Sequence, residues 1–249
     1  MAVTAQEKVI RYRAPDGSLI SIAASGYDLT DHWSADVLVR LRRPYAGVPK
    51  GRQLREFHVA PIHNYDGVLK EVINGRWVHT VESQGGTFLV GHTDEGEQGI
   101  AIWRGRWHEI ATWLAEPRMA GSRALSYFEG LQFKDAPDGL RVISQAAHAE
   151  DVEVRDVDVY VPTVGLLSIQ PVTKAHQLVP SWSGAKTKVG EIWREETSAP
   201  DDPTEILLLH ATSTTVTTLN GEGNNKGNEG PRVKFLQALT ELSWVSEKS

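Results

Sequence analysis

The sequence predicts a β-rich α+β fold made by tandem duplication, in which two similar units each combine a sheet with a closing helix. Three observations lead to this prediction: a tight-turn motif that occurs twice, further short motifs that recur in the same order, and an apolar helical stripe near the end of each half. We place the first unit at residues 1–130 and the second at residues 131–249. Both lengths fall within the usual range for one domain.

Four short motifs of the first half have counterparts, in the same order, in the second half. The pairs are Ala14–Gly17 with Ala136–Gly139, Val59–Ile62 with Ile169–Val172, Phe88–His92 with Ile206–His210, and Tyr127–Leu131 with Phe235–Leu239. Each match is weak by itself, so the prediction depends on their shared order. The alternative is a chance agreement among common turn and strand patterns.

Strand signals surround the turn motifs and recur later in the chain. Ile10 and Tyr12 alternate with arginines before the first Pro-Asp-Gly turn, which predicts a half-buried strand leading into a hairpin. The valines of residues 152–161 alternate with one change of phase, which a β-bulge at Arg155 and Asp156 would explain. The apolar run 205–209 predicts a strand covered on both faces, and the β-branched run 212–219 predicts the strand after it.

Three segments have the spacing of helices, and two others have the composition of loops. The predicted helices are Trp107–Leu114, Ser122–Leu131 and Pro231–Leu242. The last helix would carry an apolar stripe that places Leu239 in the core. Residues 197–203 and 220–230 are rich in turn-forming residues, so we expect exposed loops there.

Composition excludes several classes of protein. The net charge of −6 and the pI near 5.9 argue against a nucleic-acid-binding protein with a broadly basic surface. The densest basic stretch, from Arg40 to Arg55, is interpreted as a solvated strand and loop, with a phosphate-binding patch as the alternative. The chain has no cysteine, which excludes disulfides, thiolate zinc sites and a cysteine nucleophile. It starts without a signal-peptide pattern and has no run long enough to cross a bilayer, so we expect a cytoplasmic protein.

The polar residues show no arrangement typical of a catalytic or metal site. Five of the nine histidines lie between His58 and His108, but none has the spacing of a zinc motif. His92 and His210 each end an apolar run, where we expect an imidazole to bond a nearby carbonyl. We therefore predict no metal and no cofactor, and we leave open whether the protein is an enzyme.

Tryptophan is the residue type that points most directly to a binding surface. Three of the eight tryptophans, Trp103, Trp107 and Trp113, crowd into one segment. We propose these three as binding residues, because an exposed tryptophan is a common interface anchor. The alternative is that each tryptophan covers one end of a sheet core.

These observations predict a non-enzymatic binding or assembly protein whose two lobes present a surface to a macromolecular partner, which we expect to be another protein. Two alternatives stay open. One is a small-molecule enzyme or ligand-binding protein whose site lies between the lobes and uses the histidines and carboxylates of residues 58–108. The other is a structural component of a larger particle, such as a phage tail or secretion apparatus, in which the chain forms a homo-oligomer.

Overall fold

The computed structural model describes residues 8–30, 33–41, 54–93, 97–116, 119–145, 149–197, 205–221 and 229–247. These residues are mostly strand, with four short helices, which confirms the β-rich α+β class. None of the helices in these ranges is long and apolar enough to cross a membrane. Most of the two predicted loops, and most of the basic stretch after Arg40, lie outside the described residues.

The described residues divide into two compact units. The central unit takes its residues from 13–17 and 34–155, and the split unit takes its residues from 1–12, 18–33 and 156–249. Strand β11, Ala149–Val161, contributes residues to both units. The predicted boundary at residue 130 was placed from repeated sequence motifs, whereas the two units are defined by contacts. That boundary stays a prediction.

The central unit contains a sheet with strand order β11-β3-β4-β8-β7-β6-β5. Neighbouring strands from β3 to β5 pair antiparallel. The strands are β3 Trp33–Leu41, β4 Leu54–Pro61, β5 Gly75–Ser83, β6 Gly86–Thr93, β7 Gly99–Arg104 and β8 His108–Trp113. Helix α1, Asn64–Gly67, continues into a π-helical turn, Val68–Val72, between β4 and β5. Helix α2, Gly121–Leu125, precedes the hairpin of β9, Leu131–Ala136, and β10, Gly139–Ser144.

The split unit contains a sheet with strand order β13-β14-β15-β16-β12-β11, again with antiparallel neighbours. Its further strands are β12 Gly165–Pro171, β13 Ala185–Lys186, β14 Glu191–Thr197, β15 Glu205–Ala211 and β16 Thr215–Asn220. Helix α3, Val172–Ala175, follows β12. Helix α4, Gly230–Ala238, leads into β17, Leu239–Val245, which pairs with β2, Leu19–Ala24, beside β1, Ile10–Arg13.

The two units share the same connectivity. In each unit two strands are followed by a short helix and then by four more strands. The last of these six strands pairs with the second, as β8 pairs with β4 and β16 with β12. A helix, α2 or α4, then leads to a strand of a separate small sheet, β9 or β17. Two backbone hydrogen bonds also correspond. Ile62 N–H donates to Trp107 C=O in the central unit, as Val172 N–H donates to Thr214 C=O in the split unit, both at 2.9 Å. The motif pair around Pro61 and Pro171 therefore falls at corresponding places.

Another predicted motif pair does not correspond. Phe88–His92 lies in β6, whose counterpart by connectivity is β14, whereas Ile206–His210 lies in β15, whose counterpart is β7. Apolar runs of this length suit any inner strand that is covered on both faces, so their similarity does not identify a position.

Two predicted helices are corrected by the structure. Trp107–Leu114 is not helical, because residues 108–113 form β8, whose first five residues are all buried. The predicted helix 231–242 ends at Ala238, and Leu239 begins strand β17. In the first case the apolar spacing results from burial of a strand in a sheet, and in the second the stripe continues from the helix into a buried strand. The predicted hairpin at Ala14–Gly17 is confirmed, with Gly17 at a φ of 90° and its N–H 2.8 Å from Ala14 C=O.

Candidate functional site

Trp103 is a core residue. Its side chain is 1% exposed, its ring stacks on Phe133 with centroids 4.6 Å apart, and its indole N–H donates to Ser83 C=O. Strand β7 lies between β6 and β8 in the sheet, and Phe133 of β9 covers the Trp103 ring on its face of the sheet. A partner of the folded protein therefore does not reach the predicted binding residue Trp103.

Trp107 lies in the turn between β7 and β8 and is half-buried. Its backbone N–H donates to Asp135 Oδ2 at 2.7 Å, and the N–H of Arg106 donates to the same oxygen at 2.6 Å. The Arg106 guanidinium lies 4.8 Å from the centre of the Trp107 ring. Trp107 thus belongs to a turn that Asp135 fixes, and its ring is already partly covered.

Trp113 is the exposed member of the predicted set. It ends β8 opposite Ile100, and 44% of the residue is exposed. A shallow cavity of about 300 Å³ lies beside it, lined by Glu97, Gln98, Gly99, Trp113 and Leu114. Of the three proposed binding residues, Trp113 is therefore the one with an exposed side chain.

The wall of this cavity is held by backbone hydrogen bonds. Leu114 N–H donates to Gly99 C=O at 2.8 Å, and Thr93 N–H donates to Gln98 C=O at 3.0 Å. The Thr93 hydroxyl oxygen accepts from the N–H of Glu97 at 2.9 Å. These bonds fix the cavity before any partner arrives, which lowers the conformational cost of binding.

The histidines of residues 58–108 do not converge on one site. Three of them pair separately with aspartates through Nδ1: His58 with Asp36 at 2.5 Å, His63 with Asp66 at 2.8 Å and His108 with Asp135 at 2.8 Å. The hydrogen bond with Asp36 raises the pKa of His58 above its usual value, against the opposing effect of burial. Within the described ranges, no three His, Asp or Glu side chains are grouped so that they could hold a metal ion.

Asp66 is the centre of a polar network that the sequence analysis did not identify. It accepts hydrogen bonds from Arg104 at 2.8 Å and from the Trp77 indole at 2.9 Å, besides its contact with His63. Arg104 also donates to Glu109 at 2.6 Å, and Glu109 is completely buried. Burial acts to raise the pKa of Asp66, but the hydrogen bonds from Arg104, His63 and Trp77 outweigh it and lower the pKa.

A charged residue within an apolar strand was the available signal for this network. Glu109 lies within the segment Trp107–Leu114, for which the apolar spacing predicts a helix. As a residue of an inner strand it must instead be paired, because an unpaired buried charge is strongly destabilising. Assignment of residues 108–113 to an inner strand would have predicted that Glu109 has a charged partner.

The two histidines at strand ends have different partners. His92 Nδ1 lies 2.9 Å from Thr93 C=O, which agrees with the expected bond to a carbonyl. His210 instead places Nε2 3.3 Å from the Thr187 hydroxyl. Burial lowers the pKa of His210 to about 4, so the imidazole is neutral in the folded protein near pH 7.

Two further features of the central unit are Arg55, at the end of the basic stretch, and a second cavity. Arg55 is buried, donates to Tyr127 C=O at 2.9 Å and lies 3.5 Å from the centre of the Tyr127 ring, so it is not part of a phosphate-binding surface. A larger cavity of about 550 Å³ extends along β9.

The chain matches no protein-family model, and searches among curated proteins and solved structures found no match either.

Proposed function

We propose that this protein is a non-enzymatic binding protein that holds another protein at Trp113. The observation that carries the proposal is the exposed Trp113 side chain beside a preformed apolar cavity of about 300 Å³. Tryptophans at the centre of an interface commonly supply much of its binding energy, and a neighbouring pocket accepts an apolar side chain of the partner. Glu97 at the rim adds a negative charge that favours a partner with a cationic group beside its apolar anchor.

We also propose that the chain is a tandem duplication whose two lobes both present binding surfaces. Its support is the shared connectivity of the units and the matching hydrogen bonds after Pro61 and Pro171. The split unit has its own exposed tryptophan, Trp182, of which 62% is exposed. The carbonyl of Trp182 accepts a hydrogen bond from the Trp193 indole at 2.8 Å, so the backbone that carries the exposed ring is fixed.

Site-specific photo-crosslinking tests the Trp113 proposal. A photoreactive amino acid at Gln98, which lines the cavity and is exposed, should yield a discrete crosslinked species in cells that produce the protein. The same group at exposed Asp151, elsewhere on the central unit, is the matched control. Adding Trp113→Ala to the Gln98 variant should remove the species, because the anchor is lost.

Two results would overturn the proposal. One is a crosslinking pattern at Gln98 that is the same as at Asp151. The other is a discrete species that persists in full when Trp113 is replaced by alanine.

A small-molecule site is the second candidate function, and the His63–Asp66 pair favours it. The His63 side chain is 62% exposed, and Asp66 orients its ring through Nδ1, which leaves Nε2 directed away from this bond. His63 also has a positive φ of 70°, an unusual conformation for a residue other than glycine, and such conformations often occur at functional sites. Ligand-observed NMR with a metabolite library tests this candidate: a true ligand should lose binding to His63→Ala.

Assembly into a larger particle and a cytoplasmic location remain proposals of the sequence analysis. Light scattering after size-exclusion chromatography tests the first, because a particle component should form discrete oligomers. Imaging of a tagged chain tests the second.

A further inference from the structure

We propose that the free edge of β9 is a second binding site, which takes an extended peptide as an added antiparallel strand. The peptide would place an apolar side chain against Phe133 and a carboxylate beside Lys134. This site uses residues other than those of the Trp113 cavity and does not depend on the function proposed for Trp113.

The register of the β9–β10 hairpin shows which backbone groups face the free edge. Ala136 pairs with Gly139 across a two-residue turn, so the N–H and C=O of Ala136 point toward β10. By alternation, the N–H and C=O groups of Leu131, Phe133 and Asp135 point away from β10. The structure agrees at Leu131, because its C=O accepts a hydrogen bond from the Gln84 side chain at 3.2 Å.

Phe133 presents an unpaired donor and acceptor at this edge. Among the described residues, only β9 and β10 belong to this sheet, and none bonds the N–H or C=O of Phe133. Unpaired groups on a strand edge are a template for another strand. A peptide residue directly opposite Phe133 would exchange two backbone hydrogen bonds with it.

The cavity along β9 has room for that strand. It measures about 550 Å³, and its lining includes Gln84, Phe128, Leu131, Phe133 and Lys134. Phe128 and Phe133 are buried and contact each other edge to face at 6.1 Å, which supplies an apolar floor. The edge from residue 131 to residue 135 is about 13 Å long at the usual rise per residue.

The charges on the exposed face of β9 favour a peptide with a carboxylate opposite Lys134. Leu131 and Phe133 are buried, whereas Gln132 and Lys134 lie on the exposed face. Lys134 is directly opposite Arg141 of β10, so two cations are neighbours on this face. A carboxylate opposite Lys134 on the added strand would compensate this charge. At the other end of the cavity Glu129 favours a basic peptide residue.

These requirements define a probe peptide, Ser-Glu-Val-Thr-Ile-Ser-Lys. In the antiparallel orientation its Glu lies opposite Lys134, its Val opposite Phe133 and its Ile opposite Leu131. We choose this orientation because antiparallel pairing is slightly more stable than parallel pairing. Fluorescence polarisation of the labelled peptide measures its binding to the full chain.

Two matched controls separate strand addition from non-specific attraction. Methylation of the valine nitrogen keeps every side chain but removes the donor to Phe133 C=O, and should weaken binding about tenfold or more. Lys134→Glu should weaken binding about fivefold, and the charge-swapped peptide Ser-Lys-Val-Thr-Ile-Ser-Glu should bind this variant better than it binds the unaltered protein. Lys134→Glu should fold normally, because it replaces a cation pair with an ion pair to Arg141.

Saturable binding of the probe with both control effects supports the proposal. No saturable binding at millimolar peptide, equal binding of the methylated peptide, or no rescue by the charge swap would overturn it. Trp113→Ala should leave peptide binding unchanged, so failure at either site is distinguishable from failure at the other.

Discussion

Ile100 and Trp113 lie directly opposite each other on β7 and β8, yet Ile100 is 1% exposed and Trp113 is 44% exposed. Trp113 is the last residue of its strand and the only exposed residue of β8. A rigid inner strand therefore ends in a large aromatic side chain at the protein surface. This is the relationship that the proposed binding function requires.

We predict that Trp113→Ala lowers the free energy of unfolding by only about 1 kcal/mol, the centre of the distribution for point substitutions. Trp103→Ala should cost about 3–5 kcal/mol, because it removes a buried ring that stacks on Phe133. Urea unfolding of the two variants compares them directly. Equal losses would place Trp113 in the core and remove it as a binding residue.

The apolar spacing of the tryptophan-rich segment predicts the wrong secondary structure. Ile110, Ala111 and Leu114 have helical spacing, and only pairing with β4 and β7 makes residues 108–113 a strand. Strand β4 is distant from β8 in sequence, so the apolar spacing within residues 107–114 does not reveal this pairing. Exposure of Trp113 and burial of Trp103 both depend on the positions of β7 and β8 in the sheet.

Glu109→Gln is predicted to cost about 3 kcal/mol of unfolding free energy. Glu109 is completely buried and accepts from Arg104 Nε and from Tyr65 N–H, so the variant leaves a mostly buried guanidinium poorly compensated. Glu116→Gln is the matched control, because Glu116 pairs with Arg123 at the surface, and it should cost less than about 1 kcal/mol. Thermal or urea unfolding checks both values, and similar losses would contradict the structural role of Glu109.

The network around Asp66 could not be predicted from local sequence. Asp66 follows β4, whereas Arg104 and Glu109 belong to the β7–β8 hairpin, so the network depends on pairing of β8 with β4. The sequence shows the charges but not which of them share a buried site. A buried strand that contains a glutamate is the general signal for such a network.

Leu239→Ala is predicted to cost about 2–5 kcal/mol, the usual range for a fully buried leucine. Leu166→Ala, at a partly exposed position on β12, is the control and should cost clearly less. The unfolding midpoint in urea measures the difference. A small effect at Leu239 would show that the site relaxes to close the cavity.

Burial of Leu239 was predictable, but its secondary structure was not. The spacing of Phe235, Leu236, Leu239 and Leu242 suits a helix, and the first two residues are indeed on α4. Leu239 has a φ of −60° and a ψ of 128°, which ends the helix, and pairing with β2 continues the chain as a strand. The apolar pattern therefore identified core residues more reliably than it identified the element that carries them.

Acid is predicted to destabilise the protein partly through His210. Its pKa is about 4 in the folded protein against an ordinary value of 6.5, so the unfolded chain binds a proton first as the pH falls. The stabilisation is present above pH 6.5 and is lost toward pH 4, and amounts to about 3 kcal/mol. His210→Leu should flatten the pH dependence of unfolding in this window, and His176→Leu, at an exposed position, should leave it unchanged. An unchanged profile for His210→Leu would contradict the assignment.

The most direct test of the account is the affinity of a partner, identified through the Gln98 crosslink, for unaltered protein and for Trp113→Ala. Isothermal titration calorimetry with purified components measures both values. We predict that Trp113→Ala weakens binding by at least about thirtyfold, the effect of losing an interface hot spot of 2 kcal/mol, while circular dichroism and the unfolding midpoint stay close to those of the unaltered protein. An unchanged affinity, or a loss that occurs only together with unfolding, would contradict the claim that Trp113 is the binding residue.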